Sequence, residues 1–167
     1  DRYSKMTRQH WKTNSTIAPA GALADHMLYI MIELMGPVAE IQSRGLHLAT
    51  DLDTADTSTV TMQFAAGPSG LLTAIGVTPN YARVVFFGTK GWAEIRGATR
   101  FEFTPNEGES TVIDFPAFDT LRSQLERFAS AASGETAFPV SPEHAITGVA
   151  AVEAMGQSIK SGGPIRL

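Results

Sequence analysis

The sequence predicts an α+β fold: an open, mainly antiparallel β-sheet with helices packed on one face. Three observations point there. Apolar residues recur at helical spacing near the start, around residues 21–35, and again in two segments near the end. Between them lie short runs that alternate or are rich in β-branched and aromatic residues, separated by Gly, Pro and Asn. Those connections suit hairpins and are too short for the crossovers that parallel neighbours need. Helix, then a run of strands, then helices gives a segregated α+β order rather than alternation.

Residues 1–16, DRYSKMTRQHWKTNST, lack periodicity and read as an extended lead-in. In the first helix Leu23, Met27, Ile30, Met31 and Leu34 form the expected apolar side, and Gly36-Pro37 stops it. Residues 38–48 look extended, and 51–56 are a loop. Val60, Met62, Phe64 and Ala66 alternate with polar or small residues, the pattern of a strand with one wet face. Further strands are expected at 71–78, 81–87, 92–96, 100–104 and 111–115, with turns at Gly67–Gly70, Gly88–Gly91 and Asn106–Gly108. A helix follows Asp119 as N-cap, with Leu121, Leu125, Phe128, Ala129 and Ala132 in one stripe and Gly134 as its end. The last helix opens on Ser141-Pro142-Glu143: N-cap, proline in the first turn, acid at the positive dipole end. Its body is small and apolar, so burial against a sheet is expected. Gly162-Gly163-Pro164 closes it, and residues 165–167 add a short strand. The exposed sheet face, with Thr59, Thr61, Gln63 and Thr73 and nearby Val84, Phe86, Trp92 and Ile95, is either a self-association surface or an ordinary solvated face.

The 167 residues fit a single domain spanning 1–167. A formal charge of −4 without a basic block argues against a nucleic-acid or anionic-membrane surface. No apolar run approaches the length of a membrane span. The chain contains no cysteine, which excludes disulfides and thiolate metal sites and fits a cytoplasmic location. It begins with Asp1 rather than Met, which suggests a piece of a longer protein.

On the first helix Asp25, His26, Tyr29 and Glu33 fall within an arc of about 100°. An acid, an imidazole and a phenol together suit proton transfer, because a neutral histidine accepts a hydroxyl proton and a carboxylate stabilises its cation. The alternative is that this is the wet face any amphipathic helix needs. Arg8, His10 and Trp11 combine cations with an aromatic and could seat an anionic or polyhydroxylated ligand, or could be solvated lead-in. His47 and His144 read as structural. The histidines show no i, i+4 pair, so no metal site is expected. There is no GxSxG, GxGxxG or GxxxxGK[ST] string, and Gly88-Thr89-Lys90-Gly91 sits between strands as a hairpin turn.

The ordered features resemble a known family. Gly21 through Gly36-Pro37-Val38, then Phe64-Ala65-Ala66-Gly67 with Gly70 and Leu72, then Val85-Phe86-Phe87-Gly88-Thr89-Lys90-Gly91-Trp92 carry the resemblance. So do Leu125-Glu126-Arg127-Phe128-Ala129, Pro139-Val140-Ser141-Pro142-Glu143 and Val152-Glu153-Ala154 with Ser158. Together they are similar to the C-terminal domain of the Gfo/Idh/MocA oxidoreductases, which include glucose-fructose oxidoreductase and inositol dehydrogenases.

The resemblance implies an α+β domain whose open sheet often builds a homo-oligomer interface. It also implies a partner half, a Rossmann domain that binds NAD or NADP and supplies the lysine of a Glu-Lys-Pro motif. Neither is in this chain, so no cofactor is expected bound to it alone. By the family pattern His26, ten residues before Gly36, is the base on the substrate hydroxyl. The family aspartate four residues earlier is Ala22 here, and Asp25 is adjacent instead. The expectation is therefore the substrate-binding and oligomerisation half of an NAD(P)-dependent oxidoreductase, acting on a secondary alcohol of a sugar-like or cyclic polyol. His26, Asp25 and Tyr29 would handle the proton, and Arg8, His10 and Trp11 the substrate. The competing expectation is a non-catalytic module that dimerises through its sheet or binds a small ligand.

Overall fold

The structure, a computed structural model, describes residues 24–167. In chain order its elements are α1 (Asp25–Met35), β1 (Val38–Leu46), β2 (Thr57–Phe64), β3 (Ser69–Ile75), β4 (Arg83–Gly88), β5 (Gly91–Arg96), β6 (Arg100–Pro105), β7 (Thr111–Asp114), α2 (Thr120–Ala132), α3 (Pro142–Ser161) and β8 (Ile165–Arg166). The fold is α+β with antiparallel pairing throughout, as the hairpin-length connections require. The strands group into two four-stranded sheets, β3-β2-β1-β8 and β4-β5-β6-β7. Contacts divide the chain into two compact units: residues up to Pro79 with Val140–Leu167, and Asn80–Pro139.

In the first unit one face of the sheet is apolar because the strand residues alternate. Ile41, Val60, Met62, Phe64, Leu72 and Ala74 share that face and form one hydrophobic cluster with Leu28 and Ile32 of α1 and Ala151, Ala154 and Met155 of α3. Helix α3 lies along β1, and small residues permit the close approach. Gly148, Ala151, Ala154, Gly156 and Ser158 are buried on its inner side. The Ser43 N–H donates to the Ser158 hydroxyl oxygen at 2.8 Å, and that hydroxyl donates to the Gly163 carbonyl at 2.6 Å. These two bonds tie the end of α3 to the sheet. The opposite sheet face carries Gln42, Thr61, Gln63 and Thr73, all exposed, with Leu71 and Ile75 among them.

The apolar side of α1 departs from the expected one. Leu28 and Ile32 are the fully buried residues, flanked by Met27, Met31 and Met35, whereas Leu34 is 58% exposed. Leu28 and Ile32 are four residues apart and define the inward line, which turns Leu34 to the surface. The 51–56 segment is a loop, as expected, anchored at its end by the buried Asp56.

In the second unit the two sheet faces differ in chemistry. Val84, Phe86, Ala93, Ile95, Phe101, Phe103 and Ile113 share one face by register. The other carries Arg83, Arg96 and Arg100 in one row and Val85, Glu94 and Glu102 in the next. Trp92 is paired with Phe87 and belongs to this charged face, not with Val84, Phe86 and Ile95. Glu94 is buried between Arg83 and Arg96, to which it is ion-paired. Its hydrogen bond from Arg96 holds its carboxyl below the usual range; burial opposes this, and the Arg83 charge adds to it. Helix α2 starts at the expected N-cap, where the Asp119 carboxylate accepts from the Arg122 N–H at 3.0 Å. Its stripe of Leu121, Leu125 and Phe128 is exposed.

Candidate functional site

Helix α1 places the polar stripe. Its N-terminus has no side-chain cap: Ala24 is the N-cap residue. Asp25 instead folds back, its carboxylate accepting from the His26 backbone N–H at 2.9 Å. The same oxygen lies 3.9 Å from His26 Nε2, which puts carboxylate and imidazole side by side. The His26 side chain is 83% exposed and the Asp25 side chain 33%, which leaves the imidazole open to a ligand.

One turn on, Tyr29 is half-buried and turned onto α3. Its hydroxyl donates to the Ala145 carbonyl at 3.3 Å, and its ring lies over Gly148, where any Cβ would overlap it. Another turn on, Glu33 meets His144 of α3, Oε2 to Nδ1, at 2.8 Å. The first turn of α3 is itself well set: Ser141 accepts from the His144 N–H at 3.2 Å, with Pro142 next. Hydrogen bonds from its own backbone N–H and from the Ser141 hydroxyl hold the Glu143 carboxyl below the usual range.

The expected Asp25, His26 and Tyr29 thus share one helix, with Asp25 and His26 adjacent and Tyr29 engaged by α3. Arg8, His10 and Trp11 lie outside the described residues, as does Ala22. His47, expected to be structural, has its Nδ1 3.2 Å from the Leu52 carbonyl oxygen. The Glu33–His144 pair and the Gly148 seat for Tyr29 were not read from the sequence, because they join residues more than a hundred positions apart. The available signal was Gly148 itself, a glycine inside a helix where alanine is preferred by about 1 kcal/mol. No group of three or more His, Cys, Asp or Glu side chains is arranged to hold a metal among the described residues. No helix of the described residues is long and apolar enough to cross a membrane.

Chemically, the stripe offers an exposed imidazole with an adjacent carboxylate, a pair able to take a proton from a bound hydroxyl. It offers no dinucleotide cradle. The glycine turn Gly88–Gly91 joins β4 and β5 as a hairpin, not a strand to a helix N-terminus.

The class to which this fold belongs is defined by comparison. A family model described as the GFO/IDH/MocA C-terminal domain matches residues 1–94, more than half of the chain. The chain belongs to that family. No curated protein matches the sequence. Among solved structures it is similar to a Desulfitobacterium hafniense protein assigned as an NADPH-dependent oxidoreductase, with a TM-score of 0.86 and 17% identity over 99% of this chain and 53% of that one. It is also similar to the aldose-aldose oxidoreductase of Caulobacter crescentus, solved with glycerol, with a TM-score of 0.78 and 14% identity over 97% of this chain and 52% of that one. A third is the WlbA dehydrogenase of Bordetella pertussis, solved with NADH and UDP-GlcNAcA, with a TM-score of 0.70 and 18% identity over 86% of this chain and 46% of that one. The chain spans about half the length of each. At these identities the likeness is one of fold.

Proposed function

We propose that the chain is the substrate-binding and oligomerisation half of an NAD(P)-dependent oxidoreductase that acts on a secondary alcohol of a sugar-like or cyclic polyol. The observation that carries this is an exposed imidazole beside a carboxylate, His26 and Asp25, on the first helix of a domain of this family. A Rossmann half, which the family resemblance implies, would hold NAD or NADP, whose nicotinamide supplies the hydride acceptor. This chain's own task is the proton. His26 takes it from the substrate hydroxyl as the carbinol C–H bond breaks, and Asp25 stabilises the resulting imidazolium. Arg8, His10 and Trp11 help seat the hydroxylated substrate.

The test is His26→Ala in the intact protein, assayed for NAD(P)H formation over a panel of cyclic polyols and sugars. General-base loss of about 10²–10⁴-fold in kcat is expected. Near-normal turnover would remove His26 from this role.

A second reading is favoured by the outer face of the first sheet, where exposed Leu71 and Ile75 sit among uncharged Thr61, Thr73 and Gln63. On that reading the chain is a non-catalytic module that self-associates through its sheet. Leu71→Lys combined with Thr61→Glu, followed by sedimentation velocity, tests the sheet as the interface, and turnover of the wild-type protein distinguishes the two readings. Both readings expect dissociation, but only the module leaves no polyol-dependent reduction of the cofactor by the wild-type protein.

A further inference from the structure

Three contacts converge on the stripe of α1 from the first two turns of α3. The Tyr29 hydroxyl donates to the Ala145 carbonyl, the Tyr29 ring rests on Gly148, and Glu33 pairs with His144 at 2.8 Å. They matter because of what α1 lacks. Its N-terminal turn, which carries Asp25 and His26, has no side-chain cap from Ala24. Among the described residues it is held by the Asp25 carboxylate on the His26 N–H, by Ala24 and Leu28 in the core, and by these contacts to α3. An uncapped first turn frays unless tertiary contacts hold it. Tyr29 lies three residues after His26 and four after Asp25, hence directly below both on the same helical face. Glu33 repeats the contact one turn further.

We infer that Tyr29, together with the Glu33–His144 pair, is a positioning residue that clamps α1 to α3 and so fixes Asp25 and His26 in place. On this inference Tyr29 acts through His26 rather than on the ligand, its hydroxyl donating to the Ala145 carbonyl at 3.3 Å. The inference rests on the reading of His26 as the group that faces the substrate. Gly148 belongs to the same device. With any side chain there, the Tyr29 ring would be expelled from its seat.

The test uses the intact protein and two independent readouts. The first is steady-state turnover with whichever polyol of the panel reduces the cofactor fastest. Tyr29→Ala is expected to lower kcat by up to about a hundredfold through misplacement of the base, with KM much less affected. Tyr29→Phe keeps the ring on Gly148 and is expected to recover most of that loss. If Tyr29→Phe is as slow as Tyr29→Ala, the ring on Gly148 is not what holds the base in place and the inference is overturned.

The second readout is the His26 ring signal in proton–carbon NMR, which needs no substrate. It is expected to move in Tyr29→Ala, Gly148→Ala, Glu33→Gln and His144→Gln, and to stay in Tyr29→Phe. Glu33→Gln with His144→Gln should move it no further than either alone. The ring of His47, beside the Leu52 carbonyl, is the fixed reference. Glu33 has a 61% exposed side chain, so Glu33→Gln carries the test should Tyr29→Ala fail to fold. A His26 signal that ignores both Glu33→Gln and His144→Gln overturns the clamp. If no polyol is oxidised, the proposed function fails while this readout still decides the positioning role.

Discussion

The Asp56 carboxylate is fully buried, and one of its oxygens accepts from three consecutive backbone N–H groups, those of Leu48, Ala49 and Thr50, at 2.7–3.0 Å. The other accepts from the Thr57 hydroxyl at 3.0 Å. Burial alone would push its pKa up; the bonds from Ala49, Thr57, Thr50 and Leu48 together outweigh it, and the net shift is downward. A folded pKa below the unfolded one means a stabilisation present above about pH 4 that is lost as pH falls through the folded value. Thermal unfolding should therefore show a fall in Tm below about pH 4, part of which disappears in Asp56→Asn. That variant should also cost about 1–3 kcal/mol at neutral pH, measured by urea unfolding, because a neutral amide oxygen replaces the charged acceptor of three N–H groups. The sequence shows Asp51, Asp53 and Asp56 as one acidic loop. Which of them turns inward depends on the chain curling at 48–50, and no spacing rule carries that. The same limit applies at the stripe: Asp25, His26 and Tyr29 are readable as one helical face, but the Tyr29 seat on Gly148 is not.

Elements were the most readable scale, because caps and turns act locally. Asp119 and Ser141 cap the helices assigned to them, and Gly162 ends α3 in the left-handed conformation at φ 75°. Ser141→Ala should lower stability by about 1 kcal/mol, read from denaturant unfolding. It should also loosen His144, whose N–H the serine accepts. The β4–β5 hairpin makes a stricter demand. Gly91 has φ 144°, and a Cβ there would run into the backbone of Thr104 and Pro105 on β6. Gly91→Ala should therefore cost more than about 1 kcal/mol, again by denaturant unfolding, against the few tenths usual for surface changes. The apolar stripe of α2 was also readable as a stripe. Its exposure was not, since periodicity names a face without naming what covers it.

At the scale of the whole molecule, the α+β order and the antiparallel pairing follow from short turns between strands. The division of those strands into two sheets does not, because a seven-residue connection such as 76–82 reads the same whether it continues a sheet or leaves it. The proposed division of labour predicts that the 167-residue chain by itself binds neither NAD nor NADP. Calorimetric titration at micromolar cofactor should give no heat of binding, and a measurable isotherm would overturn that division.

The partition of the chain also sets an order in time. The second unit, Asn80–Pro139, is one uninterrupted stretch built from successive hairpins and a helix. The first unit needs both ends of the described chain, because β8 must pair with β1 across residues 40 and 166, and α3 must return to the same sheet. Long loop closure is slow, and local hairpins form early. On a ribosome, the second unit can finish while the first still waits for its final strand. A nascent chain stopped after Pro139 should therefore protect residues 80–139 from protease and leave the preceding strands open to it. The seat for Tyr29, on residues 142–161, is made only after the second unit is complete.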